Sequence, residues 1–269
     1  MSTASLNGKE IYYEVIGDGF PLVIINGITE NIDSWQVVAN NLSQHFQLIL
    51  FDYRYLNNNS EAIPSDMDIH YLADDVLALM NHLDIEEAHI LGYGMGGFVA
   101  QDFVINFPDR VKKLILEGTA SSLSFRNKKL LQSFLKLYKQ NIDKETWIRQ
   151  FLYWMYSPRY YKNIEYVEAL ISFKAQDPNF VTAELFEAQV NACLTFNSLK
   201  SLSKIHAETL IILGEEDILY HPTEADILYQ GIIHASYPLY IQECGHAVHI
   251  EHPKQFVHAI LGFLYRYDR

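Results

Sequence analysis

A short glycine-rich segment constrains the fold of this chain more than any other feature. The mostly apolar residues 88–91, Ala-His-Ile-Leu, run directly into Gly92-Tyr93-Gly94-Met95-Gly96-Gly97, and a helical pattern follows. An apolar run that ends in closely spaced glycines before a helical pattern indicates a strand, a tight turn and a helix. Because units of this kind build sheets that are covered by helices, the segment predicts an α/β fold.

The rest of the 269-residue chain repeats this alternation, with one long interruption. The runs 22–25 and 114–116 are wholly apolar, as expected for strands buried on both faces. Strands are predicted at 10–16, 22–26, 47–52, 88–92, 111–117, 208–213 and 237–242, and helices near Asp33, near Asp68, after Gly94, at 223–229 and at 253–267. Helix formers dominate between 119 and 203. We therefore predict a doubly wound, mostly parallel sheet of about eight strands, with core residues 1–118 and 204–269 and a helical lid at 119–203.

The composition narrows the classes of partner. Acidic residues outnumber basic residues by 33 to 20, which gives a net charge of −13 and disfavours nucleic acid and anionic membranes as partners. No apolar run approaches the roughly 18 residues of a membrane span. The two cysteines, Cys193 and Cys244, are too few for a disulfide scaffold. We expect a cytoplasmic monomer or homodimer that acts on a small molecule.

The glycine segment admits two interpretations. Gly92-x-Gly94-x-x-Gly97 is a literal dinucleotide-binding fingerprint, and Glu117 lies twenty residues further on, where a ribose-binding acid is expected. This interpretation predicts an NAD(P)-binding oxidoreductase. However, the fingerprint opens its domain in such proteins, whereas two or three strands precede it here.

The second interpretation is a nucleophile elbow, G-x-S-x-G, which exposes a nucleophile at a sharp turn between a strand and a helix. Here Gly94 stands where the serine is expected. Downstream, Gly214-x-x-Asp217 and Gly245-His246 each follow a predicted strand, so a carboxylate and an imidazole reach the same sheet edge. The order elbow, acid, histidine is typical of hydrolases with this elbow, and it favours the second interpretation.

Taken together, these motifs resemble those of the α/β-hydrolase family along almost the whole chain. The matching segments, in chain order, are Asn26-Gly27, Asp52-Tyr53-Arg54, the elbow, Pro108-Asp109-Arg110-Val111, Gly214-x-x-Asp217, Gly245-His246 and Glu251-His252-Pro253. The resemblance implies hydrolysis of an ester, lactone, thioester or related acyl or C–N bond in a small, partly apolar substrate.

The resemblance also implies roles for individual residues. Asp217 orients His246, the general base and acid, with Glu117 as the fallback acid, and Gly94 marks the nucleophile position. The backbone N–H groups of Ile28 and Met95 form the oxyanion hole. The predicted substrate contacts are Asn26, Tyr93, Phe151, Tyr153, Trp154 and Tyr156. We expect no cofactor, and no metal either, because Pro253 interrupts any helix through the evenly spaced His246, His249 and His252.

This chain departs from the family pattern at three places. Asn26-Gly27 replaces the usual His-Gly, and the segment 54–60, Arg-Tyr-Leu-Asn-Asn-Asn-Ser, replaces a glycine-rich loop. Gly94 is the severe departure, because removal of a triad nucleophile leaves only ~10³ to 10⁴ of rate enhancement over water.

Three hypotheses account for Gly94. In the first, the native residue is serine and glycine is an engineered change that traps a ligand. In the second, glycine is natural and His246 activates water; some aminoacrylate hydrolases of pyrimidine breakdown are similar in lacking the elbow serine. In the third, the fold is catalytically dead and serves as a ligand-binding or scaffold protein.

Overall fold

The apolar runs of the sequence form the centre of an eight-stranded sheet in the computed structural model, which describes residues 2–6, 9–53, 63–64 and 66–265. The strands are β1 (Ser2–Leu6), β2 (Lys9–Ile16), β3 (Pro21–Ile25), β4 (Gln47–Phe51), β5 (Ala88–Tyr93), β6 (Val111–Glu117), β7 (Glu208–Gly214) and β8 (Leu239–Ile241). The helices are α1 (Gln36–Leu42), α2 (Ile69–His82), α3 (Met95–Asn106), α4 (Phe125–Lys139), α5 (Lys144–Met155), α6 (Ile164–Gln176), α7 (Ala183–Thr195), α8 (Pro222–Gly231), α9 (Val248–Glu251) and α10 (Pro253–Leu264).

The strand order is β1-β2-β4-β3-β5-β6-β7-β8, and only the pairs β1/β2 and β2/β4 are antiparallel. The predicted fold class, a mostly parallel sheet of eight strands with helices, is therefore confirmed. The sequence did not predict β1, in which only Ala4 and Leu6 are buried. The carboxyl ends of parallel strands share one edge of the sheet, so the residues after β3, β5, β7 and β8 converge there.

The turn between β5 and α3 is closely packed against β3. A Cβ atom on Gly96 would lie 2.1 Å from the carbonyl oxygen of Ile25, and one on Gly92 would lie 2.3 Å from the carbonyl oxygen of Gly96. Distances this short are incompatible with any side chain, so both positions require glycine. The glycines thus allow α3 to begin directly beside the end of β3.

Helices α4 to α7, which we call the inserted helices, all lie between β6 and β7. The two ends of this insertion meet: the N–H of Ser198 donates to the carbonyl oxygen of Ser121 at 2.9 Å, and Ser122 forms a bridge with Asn197. The chain therefore leaves the sheet and returns to it at one place, within the stretch that the sequence predicts as a lid.

The sequence also makes predictions about the segment 54–60 and about membrane spans. The segment 54–60, including Arg54, lies outside the described residues. Tyr53, the residue before this segment, is described, and its hydroxyl donates to the carbonyl oxygen of Asn26 at 2.7 Å. Among the described helices, none combines the length and apolar character needed to cross a membrane.

The structure corrects the prediction that Asn26 contacts substrate. Its Oδ1 accepts the indole N–H of Trp35 at 2.7 Å, and its Nδ2 donates to the carbonyl oxygen of Phe51 at 2.7 Å. Both partners are buried, so the oxygen and the nitrogen of the amide each have a partner inside the protein. Asn26 instead joins the ends of β3 and β4 and fixes the backbone that leads to Gly27 and Ile28.

We predict that Asn26→Ala lowers the free energy of unfolding by about 1–3 kcal/mol, because the indole N–H of Trp35 and the carbonyl oxygen of Phe51 lose their partner inside the protein. Urea unfolding measures the change. Asn40→Ala, at an exposed position of α1, serves as the control and should stay within about 0.5 kcal/mol of the parent. Equal stability of the two variants would contradict the structural role of Asn26.

Candidate active site

The two predicted triad residues after β7 and β8 meet at the edge of the sheet. Nδ1 of His246 lies 2.8 Å from Oδ2 of Asp217, and both side chains are buried. The other carboxylate oxygen of Asp217 accepts the backbone N–H groups of Leu219 at 2.8 Å and Tyr220 at 3.0 Å. Because Asp217 only accepts in this network, Nδ1 of His246 carries the proton and Nε2 is left to act as a base.

Aromatic rings and one backbone contact fix the imidazole of His246. Tyr220 stacks on it with the ring centroids 5.4 Å apart, and Tyr93 packs at 5.0 Å. The backbone N–H of His246 donates to the carbonyl oxygen of Met155, the last residue of α5, at 2.8 Å. Burial raises the pKa of both tyrosines well above the usual value, so their phenol groups stay neutral.

Gly94 has the backbone geometry of an elbow without the side chain. It precedes α3 with φ of 55° and ψ of −114°, a conformation that favours glycine. A Cβ atom built on Gly94 would lie 3.4 Å from Nε2 of His246 and 3.8 Å from Cα of Gly27, which are ordinary contact distances. The space in front of Nε2 is therefore large enough for the first atom of a side chain.

Ile28 and Met95, the predicted oxyanion-hole residues, both line the cavity in front of His246. Met95 is the first residue of α3, a position whose backbone N–H has no acceptor within its own helix. The partial positive charge at the start of a helix adds to the attraction for a developing oxyanion. An oxyanion hole at these two N–H groups remains a prediction.

The cavity in front of His246 is predominantly apolar and has a volume of about 50 Å³. Tyr93, Phe151 and Trp154 line it, and their contact with substrate remains a prediction. Sequence reasoning missed a stripe along one face of α4, formed by Asn127, Leu130, Leu131 and Phe134. The spacing of this stripe, at intervals of three and four residues, is the helical periodicity that would have revealed it. The remaining lining residues are Gly27, Gly94, Leu123, Met155, Cys193, Leu219 and Tyr220.

Two predicted substrate contacts are corrected, because neither residue lines this cavity. Tyr153 lies on the opposite face of α5 from Phe151 and is 64% exposed, since two residues along a helix correspond to a rotation of about 200°. Tyr156 is buried outside this cavity, and its ring stacks on that of Tyr160 with the centroids 4.3 Å apart.

The three evenly spaced histidines have three separate partners. His246 binds Asp217, and His249 binds Glu117, whose Oε1 lies 2.8 Å from Nδ1 and 2.9 Å from the backbone nitrogen of His249. Nε2 of His252 lies 3.2 Å from the carbonyl oxygen of Glu243. No group of three or more His, Cys, Asp or Glu residues within the described ranges could hold a metal ion.

The position of Glu117 also bears on the dinucleotide interpretation. Its carboxylate is fully buried against His249, whose ring stacks on Trp35 at 4.1 Å. A ribose-binding acid must reach a ligand at the sheet edge. In addition, four strands precede β5 within the described residues, whereas a dinucleotide fingerprint follows the first strand of its domain. The described residues therefore provide neither an accessible ribose-binding acid at Glu117 nor a glycine turn after the first strand.

Known proteins resemble the chain along most of its length. A proposed carbamate hydrolase, RutD, of Pseudomonas syringae pv. syringae is 26% identical over 92% of this chain and 94% of the relative. The 3-oxoadipate enol-lactonase 2 of Acinetobacter baylyi is 25% identical over 92% of this chain and 89% of the relative. MGS-M2, an alpha/beta hydrolase enzyme from a Medee basin deep-sea metagenome library, superposes with a TM-score of 0.90 and 25% identity, covering 100% of this chain and 98% of that structure.

The family assignment follows from a match over most of the sheet and from the site geometry already described. The model of the alpha/beta hydrolase fold family matches residues 21–253. This range begins at β3 and extends past β8 to the first residue of α10. The chain therefore belongs to the alpha/beta hydrolase fold family.

Proposed function

We propose that this chain is a hydrolase in which His246, oriented by Asp217, activates a water molecule to attack an acyl or C–N bond. The supporting observation is that Nε2 of His246 faces the space above Gly94, where a Cβ atom would lie only 3.4 Å away. The names of the relatives include an enol-lactonase and a proposed carbamate hydrolase, which favour a lactone or carbamate. We extend the proposed substrate class to related esters and thioesters, because the same attack on a carbonyl carbon cleaves them.

The proposed mechanism needs no covalent intermediate. Nε2 of His246 takes a proton from water while the water oxygen bonds to the carbonyl carbon of the substrate. The backbone N–H groups of Ile28 and Met95 stabilise the resulting oxyanion, and Asp217 stabilises the imidazolium. As the tetrahedral intermediate collapses, the imidazolium returns the proton to the departing oxygen, sulfur or nitrogen, so His246 is regenerated.

Water is the proposed nucleophile because the other candidates lack the required chemistry. Glycine has no hydroxyl at position 94. Cys193 lines the cavity, but burial raises the pKa of its thiol, so the reactive thiolate is scarce at neutral pH. Ser121 is buried and follows β6 rather than standing in the elbow.

The apolar wall of the cavity supports a small, partly apolar substrate. Leucine and aromatic side chains from α4 and α5 surround the space in front of His246. Removal of an apolar group from water stabilises binding by about 25 cal/mol per Å² of buried area. We propose that residues 119–203 act as the lid over this site and that 1–118 and 204–269 form the catalytic core.

The missing hydroxyl at Gly94 also favours a second candidate, a catalytically dead hydrolase fold that binds a ligand in the same cavity. The two candidates differ in what His246 does. A binding protein needs only the shape of the imidazole, whereas the enzyme needs Nε2 as a base. Turnover by the parent chain that depends on His246 supports the enzyme, and binding without turnover supports the alternative.

We predict that His246→Ala lowers kcat/KM about 10²- to 10⁴-fold, because the general base is removed. The measurement is hydrolysis of short-chain p-nitrophenyl esters and aryl carbamates by the parent and the variant. His258→Ala, at an exposed position of α10, is the matched control and should leave activity unchanged. Full turnover without His246 would overturn the proposed mechanism.

We predict that Gly94→Ser gains covalent reactivity while losing stability. The new hydroxyl can reach Nε2 of His246, so the variant should react with an aryl fluorophosphonate and show a burst of p-nitrophenol. A serine at φ of 55° should also lower the free energy of unfolding by about 1–3 kcal/mol. Mass spectrometry and urea unfolding measure the two effects.

The double variant Gly94→Ser, His246→Ala is the control for this experiment, and it should not be labelled. An unreactive Gly94→Ser variant that folds would show that the oxyanion donors or His246 are not arranged for acyl transfer.

A further inference from the structure

The loop that carries His246 is attached to the inserted helices as well as to the sheet. The backbone N–H of His246 donates to the carbonyl oxygen of Met155, at the end of α5, and Ser157 follows two residues later. The position of His246 therefore depends on where α5 ends. A group that holds this junction in place controls the distance between His246 and its partners.

Glu251, at the end of α9, lies at this junction and binds both sides of it. Its Oε1 accepts the backbone N–H of Gly245 at 2.8 Å, on the residue just before His246. On the other side, the backbone N–H of Ser157 lies 3.2 Å from each carboxylate oxygen, and the hydroxyl of Ser157 donates to Oε2 at 2.5 Å. One carboxylate thus links three donors from two parts of the chain.

The junction has no spare space. A Cβ atom on Gly245 would lie 2.7 Å from the backbone nitrogen of Ser157, and 2.8 Å from both the carbonyl oxygen of Met155 and Oε1 of Glu251. Close packing of this kind transmits a displacement instead of absorbing it. Movement of the carboxylate or of Ser157 would therefore move the backbone beside His246.

From these contacts we infer that Glu251 is a positioning residue for the proposed general base His246. The carboxylate holds Gly245 against the end of α5, which sets the direction in which the imidazole leaves the backbone and faces Asp217. This inference rests on the proposed function for its kinetic consequence, but the positioning itself is a property of the free protein. Glu251 does not line the cavity, so its effect falls on the chemical step and not on substrate binding.

The chain offers a matched control in Glu243, which also links the same two regions. Its carboxylate forms an ion pair with Arg159, just after Ser157, but both side chains are more than half exposed. None of the side-chain hydrogen bonds described for Glu243 reaches Gly245 or His246. Exposed ion pairs of this kind contribute little to the free energy of unfolding. A general weakening of the contact between these regions would affect Glu243 and Glu251 variants alike, whereas positioning of His246 would affect Glu251 alone.

The test compares Glu251→Met, Glu251→Gln and Glu243→Gln with the parent protein. Methionine keeps the size of the side chain but removes every acceptor, so we expect kcat for an aryl ester to fall about 10- to 100-fold while KM changes less than about threefold. Glutamine keeps an oxygen for the N–H of Gly245, so it should recover activity to within about tenfold of the parent. Glu243→Gln should match the parent.

A second readout separates positioning from stability and from the proposed function. The proton shared by His246 and Asp217 should give a low-field ¹H NMR signal in the ligand-free parent, which needs no substrate. We expect this signal to shift or disappear in Glu251→Met and to persist in Glu251→Gln and Glu243→Gln. If Glu251→Met does not fold, Ser157→Ala removes one of the three donors and should shift the same signal by a smaller amount.

Two results would overturn the inference: an unchanged low-field signal in folded Glu251→Met, or equal loss of kcat in the Glu251→Met and Glu243→Gln variants. Failure of the proposed function has a different signature, because the parent would then lack His246-dependent turnover while the NMR signal still responded to Glu251.

Discussion

The buried hydrogen bond between Asp217 and His246 is the interaction on which the rest of the site depends. At 2.8 Å it joins the loop after β7 to the loop after β8. Each partner also forms hydrogen bonds with the backbone. Asp217 accepts two N–H groups of its own loop, and the backbone N–H of His246 donates to the carbonyl oxygen of Met155. Burial of a carboxylate costs free energy unless its oxygens accept hydrogen bonds. The backbone donors to Asp217 therefore stabilise the buried carboxylate that binds His246.

The sequence is informative about the centre of the sheet and less so about its edges. Strands buried on both faces are rich in apolar residues, and the apolar run 114–116 forms the centre of β6 (Val111–Glu117), whose predicted bounds, 111–117, agree with the structure. Strand β1 has only two buried side chains at the edge of the sheet, a pattern too weak to predict. Asp217 and His246 were predictable as a pair because glycines mark the strand ends that bring them together, although their catalytic roles remain predictions.

Residue contacts within the cavity were harder to predict, because they depend on which face of a helix packs inward. Trp154 and Tyr153 are neighbours in the sequence, yet only Trp154 lines the cavity. Asn26 follows a strand at the catalytic edge, which favours a functional role. Its amide is nevertheless taken up by Trp35 and Phe51, partners whose proximity arises only on folding. Conversely, Glu251 belongs to a recognisable motif, but its link to Ser157 spans 94 positions of sequence.

In this family member the elbow is retained at Gly94, but the hydroxyl of the serine mechanism is absent. The turn, the helix start and the space in front of Nε2 are all present, so the hydroxyl is the missing part of the serine mechanism. We propose that water takes the place of this hydroxyl as the nucleophile. Intact-protein mass spectrometry during steady turnover of an aryl ester tests this most directly. We expect product formation with no acyl group on the protein at any time, whereas an acylated protein that forms and decays at the turnover rate would show that a side chain, and not water, attacks the substrate.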